Sequence, residues 1–371
     1  APSSDFAQTI HTLYVDIFWW TLAILVVVWV ALAWILIRYR ERPDSPEPKQ
    51  IHGHLGLEIA WTIVPALIVV AIAIPTIQAV FSTQQGDPEN ALVVDVIGHQ
   101  YWWEFRYPDS DVVTANELHL PAGRPVSLRI SSADVMHSFW VPMLGGKRDA
   151  NPVRLRPEGT DTKYNWIHLV ADSAGTYWGQ CAEFCGESHA LMGMRVVVHE
   201  EDGFQEFLSA WQGDSTPAAG APVPPEVSAS ADTDEGDAEY AMTAALQEAS
   251  PDEAQGEEMP AAVPQTAVDP LVEEGRQVFH SNTCIACHAI QGTNAQGAIA
   301  PNLTLFGRRE SLGAGWLENT QENLVRWITA PHEVKPGVLM PGINHAGGNW
   351  PATNLTPDQV QAVAAYLLSL K

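Results

Sequence analysis

One short segment reads Cys181-Ala-Glu-Phe-Cys185-Gly-Glu-Ser-His189-Ala-Leu-Met192, and it brings two thiols, an imidazole and a thioether into one loop. Thiolate, imidazole and a long thioether contact are typical of copper sites that carry electrons. A single copper ion needs only one thiolate, so the second cysteine predicts two bridging thiolates and a dinuclear centre. A second imidazole must come from elsewhere. His137, flanked by apolar residues at a predicted strand edge, is the best candidate.

Each of these residues also has a simpler interpretation. Zinc competes for paired thiols, although zinc sites rarely need an added methionine. His137 alone would be a hydrogen-bonded core histidine, and Met192 alone would be a packing residue. Disulfides are permissible for four cysteines outside the cytoplasm. The combined spacing of Cys, Cys, His and Met favours copper over all of these.

The loop lies in a segment with the pattern of a β domain. Short apolar stretches between turn residues predict strands at 92–97, 125–130, 138–141, 165–170 and 194–199. Turn sequences such as Pro-Ala-Gly at 121–123 separate them. This spacing indicates an all-β sandwich or Greek-key barrel over 84–212. We expect the metal-binding loop at one end of it, between the last two strands.

A second motif, Cys284-Ile-Ala-Cys287-His288, uses the remaining two cysteines. This spacing is typical of covalent haem attachment through two thioether bonds, with His288 as the axial iron ligand. A redox dithiol is the alternative, and the adjacent histidine favours haem. A short helix at 271–279 precedes the motif, and an amphipathic helix at 359–370 ends the chain. We therefore predict an all-α cytochrome c domain over 269–371.

The sixth iron ligand should be a thioether or an imidazole from the opposite side of the haem. Met340 is the only methionine after the motif, and its flanking prolines and glycine suit a ligand on an extended loop. His332 and His345 are the alternatives, although a surface loop histidine is the commoner outcome for each. The sequence favours Met340.

Two uncharged apolar runs precede the β domain, at about 17–37 and 59–81. Each is long enough to cross the ~30 Å hydrocarbon core of a bilayer. They predict a transmembrane helical hairpin over 1–83. The connecting loop holds Arg38, Arg40, Arg42 and Lys49, whereas residues 1–37 contain no Lys or Arg. The positive-inside rule then predicts a cytoplasmic loop in a bacterial inner membrane, with both termini and both redox domains on the outer, periplasmic side.

The charge is strongly acidic, with a formal net value of −25. Nucleic acid is excluded as a partner, because binding phosphate requires a basic surface. Residues 213–268 are rich in Pro, Ala, Gly, Ser, Asp and Glu and contain no Lys or Arg. This composition predicts a disordered acidic linker, which would keep the two redox domains at a high effective concentration.

Several further motifs complete a resemblance to a known family: Gly98-His99-Gln100-Tyr101-Trp102-Trp103, Leu118-His119-Leu120-Pro121 and His137-Ser138-Phe139-Trp140. With the cysteine loop and the two spans, they resemble subunit II of haem–copper cytochrome c oxidases, whose cupredoxin domain carries the dinuclear copper A centre. The cytochrome module, including Ala300-Pro301-Asn302, resembles a class I cytochrome c. Its fusion behind the copper domain resembles subunit II of caa3-type oxidases.

The resemblance implies copper A ligation by two histidines, two cysteines, a methionine and one backbone carbonyl, namely His137, Cys181, Glu183, Cys185, His189 and Met192. The Glu183 side chain would also help bind magnesium at the interface with subunit I. Glu58 matches the family's carboxylate at the entrance of a proton pathway, and its simpler interpretation is a helix cap. The family usually has Trp where this chain has Tyr101, so Tyr101, Trp102 and Trp103 are all candidates for receiving electrons.

The function that the resemblance implies is that of an electron-input subunit. Electrons would pass from haem c to copper A and on to haem a in subunit I, where oxygen is reduced to water with proton translocation. The partners would be subunit I, a subunit III and an external electron donor such as a small cytochrome. No residue of this chain is expected to be a catalytic acid, base or nucleophile. The alternative is the electron-input subunit of a copper A-containing nitric oxide reductase.

Overall fold

A computed structural model describes residues 1–40, 42–43, 50, 52–84, 88–152, 164–212 and 269–371. Two long helices come first, α1 (Asp5–Arg38) and α2 (Leu55–Ser82). Ten strands and a helix, α3 (Glu201–Gln212), follow in the second region. The third region is mostly helical. The predicted linker at 213–268 lies outside the described residues.

The helices α1 and α2 are long and apolar enough to cross a membrane, with mean hydropathies of 2.6 and 2.4 in their most apolar windows. Their apolar side chains are mostly exposed, as expected of surfaces that face lipid. Pro65 and Pro75 lie inside α2. The predicted spans fall within these helices, but α1 begins twelve residues before the predicted 17, at Asp5. The reason is a helix cap, because the Ser4 side chain accepts a hydrogen bond from Ala7 N.

The beginning of α1 is built into the β domain. Ser3 N donates to Met143 O at 2.8 Å, and the Ser4 hydroxyl donates to Leu144 O at 2.7 Å. Val170 N donates to the Asp5 carboxylate at 2.8 Å. The first membrane helix is therefore joined to the β domain by hydrogen bonds beyond the covalent chain.

The β domain consists of two five-stranded sheets, ordered β3-β2-β1-β5-β8 and β4-β10-β9-β6-β7. Their bounds are β1 (Leu92–His99), β2 (Trp102–Tyr107), β3 (Val112–Ala115), β4 (Glu117–Pro121), β5 (Pro125–Ser132), β6 (His137–Trp140), β7 (Arg148–Ala150), β8 (Asn165–Val170), β9 (Gly175–Cys181) and β10 (Gly193–His199). Alternating residues are buried along β1 and β10, which is the pattern of strands that pack one face on a core. The core includes Val94, Val96, Leu118 and Leu120, all 0% exposed.

The all-β cupredoxin-like fold is confirmed, with all five predicted strands present. The prediction missed β2, β3, β4, β7 and β9. These are short or rich in polar residues, so their side chains alternate poorly between apolar and polar. β9 reads Gly-Thr-Tyr-Trp-Gly-Gln-Cys, for example. The metal-binding loop follows β9 and precedes β10, as predicted.

The third region is mostly helical, as predicted for 269–371. Its helices are α4 (Pro270–Ser281), α5 (Cys284–Cys287), α6 (Gln321–Thr329), α7 (Pro331–Val334) and α8 (Pro357–Ser369), with a small hairpin of β11 (Ser311–Leu312) and β12 (Leu317–Glu318). The first and last long helices cross closely at Gly275, where a Cβ would collide with Ala362 O. Asp269 caps α4, and Thr356 with Gln359 forms a capping box on α8. The close crossing packs α4, which precedes the haem-attachment motif, against the last helix of the domain.

Candidate metal and haem sites

The cysteine loop gathers its sulfur and nitrogen atoms into one buried cluster. The sulfurs of Cys181 and Cys185 lie 3.9 Å apart. His189 Nδ1 is 3.6 Å and Met192 Sδ is 3.8 Å from the Cys185 sulfur. Cys181 is the last residue of β9, and Met192 directly precedes β10. The two strands therefore hold both ends of the loop.

His137 comes from the neighbouring strand β6, which pairs with β9. Its Nδ1 lies 3.8 Å from the Cys181 sulfur, and its side chain is fully buried. One ligand atom each from His137, Cys181 and Cys185 falls within 4.8 Å of the others. The structure thus brings together all the side chains that the sequence predicts as copper ligands.

The backbone carbonyl of Glu183 also belongs to the cluster, at 3.3 Å from the Cys181 sulfur. Its side chain points elsewhere, with a carboxylate oxygen 3.9 Å from Lys147 Nζ. One residue therefore offers its carbonyl to the sulfur cluster and keeps its carboxylate on a partly exposed surface.

Asp134 was missed by the sequence analysis and holds His137 in place. Its carboxylate is 2.8 Å from His137 Nε2, which leaves Nδ1 facing the cluster. A carboxylate on the far nitrogen of a ligating histidine fixes both the tautomer and the ring orientation. The signal available in the sequence was an acidic residue three positions before the histidine.

Gln100 and Gly98 support the cluster from β1 and the turn that follows it. The Gln100 side-chain amide donates to Cys185 O at 2.6 Å, and its backbone N donates to Asp134 at 2.7 Å. A Cβ at position 98 would lie 2.7 Å from the His137 ring, so glycine is required there. The motif Gly98-His99-Gln100 therefore serves the metal-binding loop.

The electrostatics of the cluster suit a metal ion bound through thiolate. The hydrogen bond with Cys185 lowers the pKa of the Cys181 thiol, and the same contact raises that of Cys185. Burial disfavours the charged form of His137, but hydrogen bonds to Asp134 and Cys181 outweigh it and raise its pKa. A cation in the cluster would replace protons on these donors.

The three candidate electron-receiving aromatics occupy different environments. Tyr101 is only 7% exposed, and its hydroxyl accepts a hydrogen bond from Glu187 N in the metal-binding loop at 3.0 Å. Trp102 stacks on His99, with ring centroids 4.2 Å apart. Trp103 is fully buried and packs edge-on against His137. Tyr101 alone of the three bonds directly to the loop.

The haem-attachment residues sit on the short helix α5 and its C-terminal end. His288 Nδ1 is 2.8 Å from Pro301 O, which leaves Nε2 available to a ligand. Burial lowers the pKa of His288 and favours its neutral form, the form that binds iron. Gly297 packs directly on the backbone of Cys287 and His288, where a Cβ would collide. Pro301 and Gly297 therefore position the motif.

Met340 is partly buried against the core of the cytochrome c domain. The competing histidines, His332 and His345, stack on each other with ring centroids 3.7 Å apart. Glu58, near the start of α2, accepts a hydrogen bond from His54 N at 3.2 Å. That contact is a helix cap, and it involves none of the other predicted site residues.

The donor sets of the two sites fit the two expected cofactors. Paired thiols, two imidazoles and a thioether in one buried cluster match the preference of copper, and a carboxylate orients His137. Two cysteines beside a buried, neutral histidine match covalent haem. The described part of the chain therefore defines a class: a two-span membrane protein with a cupredoxin metal site and a cytochrome c domain.

Three family models match the chain. They are the transmembrane domain of cytochrome c oxidase subunit II over residues 1–79, the periplasmic domain of the same subunit over 111–200, and cytochrome c over 272–371. Cytochrome c oxidase subunit 2 of Alkalihalophilus pseudofirmus is 34% identical over 93% of this chain and 82% of its own. The corresponding protein of Bacillus sp. strain PS3 is 32% identical over 90% of this chain and 80% of its own.

Among solved structures, the chain is similar to the periplasmic domain of subunit II of cytochrome oxidase from Bradyrhizobium japonicum. The match covers 34% of this chain and 97% of that structure's chain. It is 26% identical, with a TM-score of 0.31. From the family models and the full-length relatives, the chain belongs to the cytochrome c oxidase subunit 2 family, with a fused cytochrome c domain. It is an electron-input subunit of a membrane-embedded oxidase complex, and its domains imply copper and haem. These matches favour the oxidase over the nitric oxide reductase alternative.

Proposed function

We propose that this chain receives electrons on its cytochrome c domain and passes them through its copper site to haem a of subunit I. The observation that supports direct transfer between the two sites is the contact between the two domains, where Ser188 in the metal-binding loop donates to Pro336 O near Met340. Oxygen reduction and proton translocation would then occur in the partner subunits, with an external donor supplying electrons.

Two copper ions would be held by the donors gathered in the cysteine loop and β6, namely His137, Cys181, Glu183 through its carbonyl, Cys185, His189 and Met192. Bound copper would supply one-electron redox chemistry at a site that the protein orients in advance. Covalent haem would be held by Cys284 and Cys287, and His288 and Met340 would supply the protein ligands of its iron. The partly buried position of Met340 against the core of the cytochrome c domain supports its role as an iron ligand.

We also propose the finer roles that the family suggests for two carboxylates. The Glu183 side chain, partly exposed beside Lys147, would help bind magnesium where subunit I docks. Glu58 would mark the entrance of a proton pathway, with its carboxylate exposed at the start of α2. The domain boundaries at 1–83, 84–212, 213–268 and 269–371, a subunit III partner and the periplasmic side for both redox domains belong to the same proposal.

Rapid reduction of the purified oxidase by an external donor tests the proposed order. Haem c should be reduced before copper A, each followed by its own absorbance. Metal analysis of the same preparation should give two copper ions for each covalent haem, with haem a present. Copper A that is reduced first, with haem c lagging behind it, would overturn the proposed order.

A further inference from the structure

We infer that a buried polar interface, built on Lys335 and Glu117, locks the cytochrome c domain onto the copper domain and holds the Met340 loop beside the metal-binding loop. The interface consists of contacts between described residues, and only its role in electron transfer rests on the proposed function. In this interface, the cytochrome c domain of the same chain covers part of the copper domain.

Lys335 lies at the centre of one half of the interface. Its side chain is 2% exposed. The ammonium nitrogen donates to Tyr101 O in the copper domain at 2.6 Å and to Gly313 O in its own domain at 3.0 Å. Burial lowers its pKa to about 7, and either protonation state can donate to both carbonyls. A lysine this buried is unusual unless it is paired, so the position is a structured contact.

Glu117 occupies the other half of the interface, at the start of β4. It is 4% exposed, and one of its carboxylate oxygens accepts from Glu310 N at 3.0 Å, Ser311 N at 3.2 Å and the Ser311 hydroxyl at 3.3 Å. All three donors belong to the cytochrome c domain. Beside it, Arg195 of β10 forms an ion pair with Glu310.

Two further contacts flank the copper ligands. The Ser188 hydroxyl, one residue before His189, donates to Pro336 O. Gly193 N, one residue after Met192, donates to Ala314 O at 3.0 Å. The cytochrome c domain therefore contacts the metal-binding loop on both sides of the segment from His189 to Met192.

The interface also covers Tyr101, at the position where the family usually has a tryptophan that receives electrons. Its carbonyl binds Lys335, and a Cβ at Gly337 would lie 3.2 Å from its ring. An external donor therefore cannot reach Tyr101 without displacing the cytochrome c domain. Donors must dock on the cytochrome c domain instead, and the handover to copper takes place inside a fixed interface.

Buried polar groups favour one arrangement over others because any displacement leaves them without partners. A surface docking driven by charge would behave differently, since salt screens exposed ions far more than buried ones. The buried polar interface therefore predicts two properties of the paired domains. The domains should stay together without the linker, and they should stay together at high salt.

Cleavage of the linker in the intact oxidase tests the lock. A sequence-specific protease site is inserted within 213–268, the purified complex is cut, and size-exclusion chromatography separates free cytochrome c domain from the rest. Covalent haem absorbance measures its distribution at low and at 1 M salt. We expect the haem to remain with the cut complex under both conditions, whereas Lys335→Met and Glu117→Ala should each weaken retention roughly tenfold or more, because buried partners lose their bonds.

Matched variants separate the lock from general damage. Glu117→Gln keeps an acceptor oxygen and should retain the domain, and Glu273→Gln changes an exposed pair within α4 and should also retain it. If Lys335→Met also reduces haem attachment, its retention cannot be interpreted, and the test then depends on Glu117→Ala. Glu117 lies in the copper domain, so its substitution leaves the haem-attachment motif unchanged. Release of the wild-type domain on cutting, or only at high salt, would overturn the inference. Full retention by both variants would overturn the roles of Lys335 and Glu117. Neither readout depends on the order of electron transfer.

Discussion

At the scale of single residues, the copper site depends on residues outside its candidate ligand set. Asp134 orients the ring of His137, and Gln100 holds the carbonyl of Cys185. Gly98 leaves the space that the histidine ring fills. The site is therefore pre-organised by hydrogen bonds and by a glycine at position 98, so that its ligands need little rearrangement on binding copper.

Asp134→Ala removes the carboxylate from His137 Nε2. We expect copper affinity to fall by about 10–100-fold, because carboxylate partners of ligating histidines contribute on this scale. Competition with a copper chelator, followed by copper A absorbance, measures the change. Asp109→Ala, an exposed acidic residue of the same domain, is the control and should have no effect. Equal copper retention by both variants would contradict the role of Asp134.

The candidate ligands in the cysteine loop could be proposed from the sequence because metal chemistry restricts residue type and spacing in a short loop. His137 was predictable only as a candidate, since its approach to Cys181 depends on the pairing of β6 with β9. The hydrogen bonds of Asp134 and Gln100 and the domain interface depend on tertiary structure, so the sequence analysis did not predict them. Lys335 and Tyr101 lie 234 positions apart, and only the tertiary arrangement brings them together.

At the scale of elements, β4, β10 and α3 share a stack of aromatic rings on the copper domain. His119 Nδ1 and His199 Nε2 are 2.9 Å apart, and the His119 ring stacks on Phe207 at 4.1 Å. Burial lowers the pKa of His119 to about 3, and the neighbouring His199 adds to the effect. Burial also lowers the pKa of His199. The stack is therefore compatible with neutral rings only.

This stack makes the copper domain sensitive to acid. Above pH 6.5 His119 is neutral whether the domain is folded or unfolded, so its contribution to the free energy of unfolding is fully present. As the pH falls from 6.5 towards 3, only the unfolded chain takes up the proton and stability is lost, by roughly 2 kcal/mol at pH 5. His119→Gln should reduce this loss.

Amide hydrogen exchange in β4 and β10 of the purified complex, corrected for intrinsic rates, measures the effect between pH 7.5 and 5. His280→Gln in the cytochrome c domain is the control and should leave the pH dependence of these strands unchanged. An identical pH dependence in wild type and His119→Gln would show that the stack does not titrate as inferred.

At the scale of the whole molecule, the charges around α1 and α2 determine the predicted orientation. Arg38 ends α1, and Arg42 follows in the connecting loop. No Lys or Arg precedes Arg38. This asymmetry favours a cytoplasmic loop, with the copper and cytochrome c domains outside.

A matched pair of single cysteines tests the orientation. Asp109→Cys lies on an exposed turn of the copper domain, and Pro43→Cys lies in the connecting loop. In intact cells a membrane-impermeant maleimide should label Asp109→Cys and leave Pro43→Cys unlabelled, and permeabilised cells should give labelling of both. Labelling of Pro43→Cys alone in intact cells would show that the orientation is opposite to the predicted one.

The attachment of α1 to the copper domain has a mechanical consequence. Ser3, Ser4 and Asp5 bind the β domain at the same residues that begin the helix, so no free hinge separates the two. A membrane helix changes its tilt when bilayer thickness changes. Here the tilt would be transmitted to the copper domain, so bilayer thickness would influence the position of the copper domain relative to the membrane.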